Sequence, residues 1–253
     1  MNPEVNWHSR FRQQAGWTRE LRNYLFQKAG LKPGSRILEV GCGTGAILGD
    51  IRNSADLQIH GLDIAPEMLK QAAINAPSAQ LTMGDAHTLP FSNGIFQITF
   101  CHYLLLWVSS PLAVLREMKR VTRKGGVVMA MAEPDYTARI IEPKFLEELS
   151  RLQTASLVEQ GADTQMGIKL GNLFQEAGID LVEFGWMQDE ARAALHSRLK
   201  QLDYDQEWEV LESDLQNRLT STQLEKYHQE YMNACHDGTI RIHIPTAFAW
   251  GTV

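Results

Sequence analysis

Cysteine is scarce in this 253-residue chain: Cys42, Cys101 and Cys235 are its three, far apart and without Cys-x-x-Cys spacing. The sequence therefore offers neither a disulfide framework nor a zinc-binding pattern, which fits a reducing cytoplasm. Long apolar runs are missing as well. Stretches such as Tyr103 to Val108 are far too short to span a bilayer. The opening Met-Asn-Pro-Glu-Val-Asn-Trp-His has no apolar stretch of signal-peptide type. Net charge is −6 and no basic stretch is strong enough to track phosphates, which argues against a nucleic-acid partner. The densest basic cluster, Lys119, Arg120, Arg123 and Lys124, falls at a predicted helix C-terminus, where cations favour the dipole. Internal repeats and low-complexity linkers are absent too.

What the chain has is 44% hydrophobic residues, ample for a core, in an alternating order. Strands read near 36–40, 58–63, 79–83, 95–101 and 126–132, and helices near 45–53, 66–75, 111–123 and 143–160. Residues 9–30 read as an earlier helix broken by Lys32-Pro33-Gly34. This order predicts an α/β fold, a doubly wound, mostly parallel sheet with helices on both faces. The loops after the first four strands then share one carboxyl edge, where ligands bind. Residues 143–177 read as helical with an interruption at Gly167 and Gly171. Leu181 to Trp186 reads as a sixth strand, 190–235 as polar and helical, and Ile240 to Trp250 as one late strand. One domain over 1–253 is expected, with its core at about 30–135.

The most informative stretch is Arg36-Ile-Leu-Glu-Val-Gly-Cys-Gly-Thr-Gly45. A buried strand runs into alternate glycines and then a helix. Such a turn admits a nucleotide-like ligand to the backbone and offers it free N–H groups. The glycines alone fit a dinucleotide fingerprint as well as a Glu-x-Gly-x-Gly-x-Gly loop. Glu39 ends a buried strand, where a carboxylate is costly unless paired, and it is suited to a cationic amino group. Asp63 ends the second strand and is placed to accept ribose hydroxyls, with an N-cap before Pro66 as the plain alternative. Gly84-Asp85-Ala86 follows the third strand, where an acid and a small residue suit an adenine edge; an ordinary Gly-Asp turn is the other reading.

With these features the chain resembles class I S-adenosylmethionine-dependent methyltransferases, especially the small-molecule branch that includes quinone-biosynthesis enzymes. The matching stretches are Ile37–Gly45, Gly61–Leu69, Gly84–Ala86 with Leu89-Pro-Phe91, Phe96–Trp107 and Met118–Gly126. The resemblance implies a Rossmann-like seven-stranded sheet and S-adenosylmethionine as cofactor, with S-adenosylhomocysteine as product. It implies that Glu39 and the loop Gly41, Cys42, Gly43, Thr44 and Gly45 border the methionine part. Asp63 takes the ribose, Ile64 and Met68 pack on the adenine, and Gly84, Asp85 and Ala86 meet its amino edge. Cys101 and His102 lie near the methyl group. Gln97 stands where the family usually has Asp.

Methyl transfer is an in-line displacement on an activated carbon, so alignment and exclusion of water matter most. A base is needed only if the acceptor must lose a proton. His102 is the catalytic candidate, as base or orienting group, with a structural histidine as the alternative. Tyr103, Trp107, Glu133, Asp135 and Tyr136 are candidates for the acceptor pocket, although a capped turn at Pro134 explains Asp135 equally well. The motifs of cytosine and amino-group methyltransferases are absent at this edge, which favours a small-molecule acceptor over DNA. Helices at about 1–30, 143–160 and 190–235 are expected to form a lid, with Arg10 and Phe11 touching the cofactor. A monomer or homodimer fits this reading. Two rivals remain here: an NAD-dependent oxidoreductase, for which no Tyr-x-x-x-Lys pair is present, and a non-catalytic cofactor-binding module.

Overall fold

The computed structural model describes residues 6–51, 56–187 and 201–253. After two N-terminal helices, α1 (Trp7–Trp17) and α2 (Arg19–Lys28), strands and helices alternate: β1 (Arg36–Val40), α3 (Ala46–Ile51), β2 (Gln58–Asp63), α4 (Pro66–Asn75), β3 (Gln80–Met83), β4 (Phe96–His102), α5 (Pro111–Val121) and β5 (Thr122–Pro134). The second half holds β6 (Ile140–Glu142), α6 (Leu146–Glu159), α7 (Met166–Glu176) and β7 (Asp180–Trp186). Then come α8 (Gln201–Leu215), α9 (Ser221–His236), β8 (Arg241–His243) and β9 (Thr246–Thr252).

Seven strands form one sheet in the order β3-β2-β1-β4-β5-β9-β7. The first five run parallel, while β9 is antiparallel to both β5 and β7. The doubly wound, mostly parallel seven-stranded sheet is the expected one. Strands covered on both faces have to be apolar almost throughout, and β1 is buried at every position after Arg36. Strand order reverses between β1 and β4, so the connections that leave their carboxyl ends diverge to opposite sides, the usual place for a ligand crevice, beside Val40 and His102. Two cores fill the two faces. One gathers Leu38, Val40, Phe96, Leu115 and Phe174, the other Leu25, Ile37, Leu48, Phe100 and Met129.

Local signals set the helix starts. Ser110 caps α5 through Ala113 N–H, with Pro111 in the first turn, and Thr220 with Gln223 forms a capping box on α9. Lys119 and Arg120 lie in the last turn of α5, as the charge pattern predicts, whereas Arg123 and Lys124 already belong to β5.

Three expectations need correction. Residues 9–30 form two helices, α1 and α2, divided at Thr18. Gly167 and Gly171 do not interrupt α7. A Cβ on Gly167 would sit 2.8 Å from the Glu133 carbonyl, so the small residue lets the helix lie close on the sheet. The late strand is two strands, because Pro245 has no N–H to give a ladder. β8 pairs with β6 in a separate ribbon, while β9 enters the large sheet. The helix expected over 45–53 is described as far as Ile51, since positions 52 and 53 lie outside the described residues.

The helical second half has its own small core, with Leu146 and Leu149 of α6 against Trp208, Leu215, Tyr231 and Cys235 of α8 and α9. The chain leaves the sheet after β7 and returns at β9 on adjacent hydrogen-bonded positions, with Trp186 opposite Ala247 and Met187 N–H donating to Thr246 O at 2.8 Å. The first part of the expected 190–235 lid, up to residue 200, lies outside the described residues, as do residues 1–5 of the 1–30 element. Among the described residues no helix is long and apolar enough to cross a membrane.

Candidate active site

The turn after β1 is tied to β2 by its backbone. Gly41 N–H and Cys42 N–H both donate to Leu62 O, at 2.7 and 2.9 Å. Gly41 and Gly45 have φ of 73° and 76°, a region L side chains rarely adopt. A Cβ on Gly41 would lie 2.6 Å from Leu104 Cδ1, and one on Gly45 3.1 Å from Ala72 Cα of α4. Asp63 closes the other side. Its Oδ2 accepts Gly43 N–H at 2.8 Å and its Oδ1 accepts Ala65 N–H at 2.9 Å. The carboxylate thus stitches the glycine turn to the β2–α4 turn. It is not the N-cap of α4, whose cap residue is Ala65.

Glu39 is 2% exposed, and its Oε2 has no hydrogen-bond partner among the described residues. Burial raises its carboxyl well above the ordinary range, nearby Arg22 opposes the shift, and Asp63 adds to it. Beyond β2, Ile64 is 67% exposed and Met68 is buried. Gly84 N–H donates to Asp63 O at 3.0 Å. Asp85 Oδ1 accepts His87 N–H at 2.9 Å and lies 2.6 Å from His87 Nδ1. These bonds, backbone first, hold its carboxyl below the usual range. Ala86 is buried beside them.

At the end of β4, Cys101 is fully buried, which raises its thiol well above normal. His102 follows with Nε2 2.9 Å from Thr18 Oγ1. Burial, and secondarily the Arg22 guanidinium, pushes it down to about 3, so the ring is neutral. Tyr103 then takes a positive φ of 51°, and Ala132 on β5 one of 63°. Both are sparsely populated conformations for residues with a Cβ, and they lie at the neighbouring ends of β4 and β5.

Glu133 is fully buried. Its two oxygens accept the N–H groups of Leu104, Leu105 and Leu106 at 3.1, 3.0 and 3.2 Å. Burial raises it to about 7 against the pull of those three donors. Asp135 caps the short turn of Tyr136–Ala138 through Thr137, the plain reading of that residue. Trp107 is 45% exposed. Tyr103 and Tyr136 do come together, on a cavity of about 80 Å³ closed by Trp17 of α1, Tyr204 of α8 and Tyr231 of α9.

The N-terminal helix covers both regions. Phe11 lies over Gly43, where a Cβ would be 3.1 Å from its ring. His8 Nδ1 is 2.8 Å from Thr44 Oγ1, and Asn75 Nδ2 donates to Thr44 O at 2.9 Å. Arg10 lines the cavity. It donates to Gln13 at 2.7 Å and to Glu207 of α8 at 2.5 Å, with its guanidinium 4.9 Å from the Trp17 ring centroid. Sequence reading missed Thr18, Arg22, Asn75 and Glu207. Only the amphipathic spacing of α1 and α2 hinted that polar residues there would face inward.

Residues 38–130 match the family described as methyltransferase domain. The demethylmenaquinone methyltransferase of Lysinibacillus sphaericus is 29% identical over 212 residues, covering 76% of this chain and 88% of that protein. A 37.1 kDa protein in transposon TN4556 of Streptomyces fradiae is 31% identical over 168 residues, covering 63% of this chain and 48% of that one. The chain thus spans about half the length of this second relative. Among solved structures, Haemonchus contortus phosphoethanolamine N-methyltransferase 2 in complex with S-adenosyl-L-methionine superposes with a TM-score of 0.59 at 15% identity. The match covers 93% of this chain and 52% of that one, a likeness of fold.

Proposed function

We propose that this chain, which belongs to the class I S-adenosylmethionine-dependent methyltransferases, moves a methyl group to a small-molecule acceptor held in the aromatic cavity under α1, α8 and α9. The observation that carries the reading is the Asp63 carboxylate. Two backbone N–H groups fix it at the β1/β4 crevice, and each oxygen keeps a further lone pair for a ribose hydroxyl. The residues present fit the cofactor chemically. The buried, unpartnered Glu39 oxygen suits the ammonium of its amino-acid end. The loop of Gly41, Cys42, Gly43, Thr44 and Gly45 offers close backbone approach. The exposed face of Ile64 suits an adenine ring beside Met68, with Gly84, Asp85 and Ala86 at its edge. When bound, the cofactor supplies a methyl group already activated on a sulfonium.

The protein's share is to bind, align and keep dry. Phe11 and His8 close α1 over the glycine turn. Cys101 and His102 border the crevice between that turn and the cavity. Tyr103, Tyr136 and Trp17 favour an apolar or aromatic acceptor, and the Arg10–Glu207 pair supplies a charged wall. Demethylmenaquinone-like quinols are accordingly the first acceptors to test, ahead of amines of the phosphoethanolamine kind. Glu133 holds the 104–106 backbone beside the pocket, and Asp135 caps the turn that carries Tyr136. The chain acts as one methyltransferase unit, in the cytoplasm, on a small molecule rather than nucleic acid, as a monomer or homodimer. No feature of the site favours the NAD-dependent or non-catalytic readings.

Thermal unfolding with S-adenosylmethionine, S-adenosylhomocysteine and NAD added separately tests this. Ligand at about 100 times its dissociation constant stabilises by roughly 2.7 kcal/mol, and at about 2–4 °C per kcal/mol the melting temperature rises by roughly 5–10 °C. A rise with the first two and none with NAD is expected. A rise with NAD alone overturns the proposal.

A further inference from the structure

The end of β4 is held by a buried polar chain that binding and alignment leave unexplained. Arg22 is 3% exposed and Thr18 is fully buried. Arg22 Nη1 donates to Thr18 Oγ1 at 2.7 Å and to the Ala15 carbonyl, and Nη2 donates to Asp50 Oδ2 at 3.0 Å. Thr18 Oγ1 in turn lies 2.9 Å from His102 Nε2.

The Thr18 hydroxyl has one proton and two lone pairs. Arg22 occupies one lone pair. If His102 Nε2 donated to the second lone pair, the hydroxyl proton would be left with Gln14 O at 3.3 Å or Ala15 O at 3.4 Å; with Nε2 unprotonated, the ring nitrogen at 2.9 Å takes it. Hydroxyl bonds normally span roughly 2.5–3.0 Å, so the ring nitrogen is the partner that fits. The Ala15 carbonyl also already accepts from Arg22. A hydroxyl that accepts from a cation is polarised into a stronger donor. Burial, and secondarily the Arg22 guanidinium, favour the neutral ring. A neutral imidazole that accepts at Nε2 carries its proton on Nδ1. Thr18 is the ring's hydrogen-bond partner among the described residues, and Nδ1 is not among the enclosed, unpartnered atoms.

We propose that Thr18 and Arg22 are positioning residues that fix His102 as the Nδ1–H tautomer, so that it serves the reaction as a hydrogen-bond donor to an acceptor oxygen and not as a general base. A nitrogen that bears the proton has no lone pair with which to take another. The fitting acceptor therefore carries a carbonyl or ionised hydroxyl oxygen beside its nucleophilic atom, and does not lose its proton to His102. The link to the reaction rests on the methyltransferase reading, whereas the tautomer stands without it.

Nitrogen-15 histidine labelling of the full chain, alone and with S-adenosylhomocysteine, tests this by long-range proton–nitrogen correlation. His102→Gln assigns the signals by their loss. The expected wild-type pattern at neutral pH is a protonated Nδ1 and an unprotonated Nε2. Thr18→Val should let the Nε2–H form appear, and Thr18→Ser should restore the wild-type pattern, with melting temperature and S-adenosylhomocysteine affinity followed in parallel. A wild-type Nε2–H tautomer or an imidazolium overturns the proposal. So does an unaltered tautomer in a folded Thr18→Val protein. Should Thr18→Val fail to fold, the wild-type spectrum still decides. Absence of S-adenosylhomocysteine binding with an Nδ1–H ring would count against the methyltransferase reading and leave the tautomer in place.

Discussion

Glu133→Gln separates a loop staple from a pocket residue. The carboxyl accepts three backbone N–H groups, from Leu104, Leu105 and Leu106. A glutamine keeps one acceptor oxygen and puts an NH₂ where the other stood, so at least one of those donors meets a donor. An unsatisfied buried N–H costs about 1–3 kcal/mol. An opposing effect depends on pH. Burial raises the carboxyl from 4.5 to about 7, so the folded protein holds its proton longer than the unfolded chain does. The stability Glu133 contributes is therefore fully present below pH 4.5 and is lost as pH rises through about 7. At 1.36 kcal/mol per pH unit that loss is about 3 kcal/mol. Near pH ~5 the variant should melt about 2–12 °C below wild type, at about 2–4 °C per kcal/mol. The gap should close towards pH ~8, where the wild type bears the buried charge and the variant does not. Melting curves across this range check it. A gap that widens with pH would show that the three donors outweigh burial. Equal melting temperatures with lost turnover would make Glu133 an acceptor-binding residue and refute the staple.

Asp63→Ala should weaken S-adenosylmethionine binding at least tenfold, about 1.4 kcal/mol, by calorimetry; unchanged affinity would remove it from the ribose. Gly45→Ala should destabilise the fold by about 2–5 kcal/mol in denaturant titration. A left-handed Ala costs about 1–2, and pressing α4 at Ala72 about 1–3. Arg10→Met strands the half-buried Glu207 carboxylate and should cost about 3 kcal/mol in the same assay; a stable variant would mean that this ion pair contributes nothing to the fold.

The parallel half of the sheet was legible because strands buried on both faces must be apolar, as Ile37, Leu38 and Val40 are. The cofactor turn was legible because its chemistry is local: glycines, a strand end and one acid. Glu133 misled because a buried carboxylate after a strand looks the same whether it faces a ligand or three amides. The setting of Arg10 was hidden for a different reason. Its partner Glu207 is 197 residues away, and no local pattern announces such a pair. The Arg22–Thr18–His102 chain joins α2, the α1–α2 junction and β4, so Arg22 and Thr18 read alone as ordinary helix residues and nothing local ties them to His102. Pro245 was visible, but the regular spacing of Ile240, Ile242 and Ile244 outweighed it.

The return of the chain at Thr246 beside Met187 makes everything between β7 and β9 a closed excursion. Both of its ends are clamped on neighbouring rungs of one ladder. The closure cost of such an excursion grows only slowly with its length. Its helices can thus be exchanged, lengthened or trimmed while the sheet and the glycine turn keep their registers. A graft of a different excursion onto the same two rungs is a route to a new acceptor on an unchanged cofactor platform.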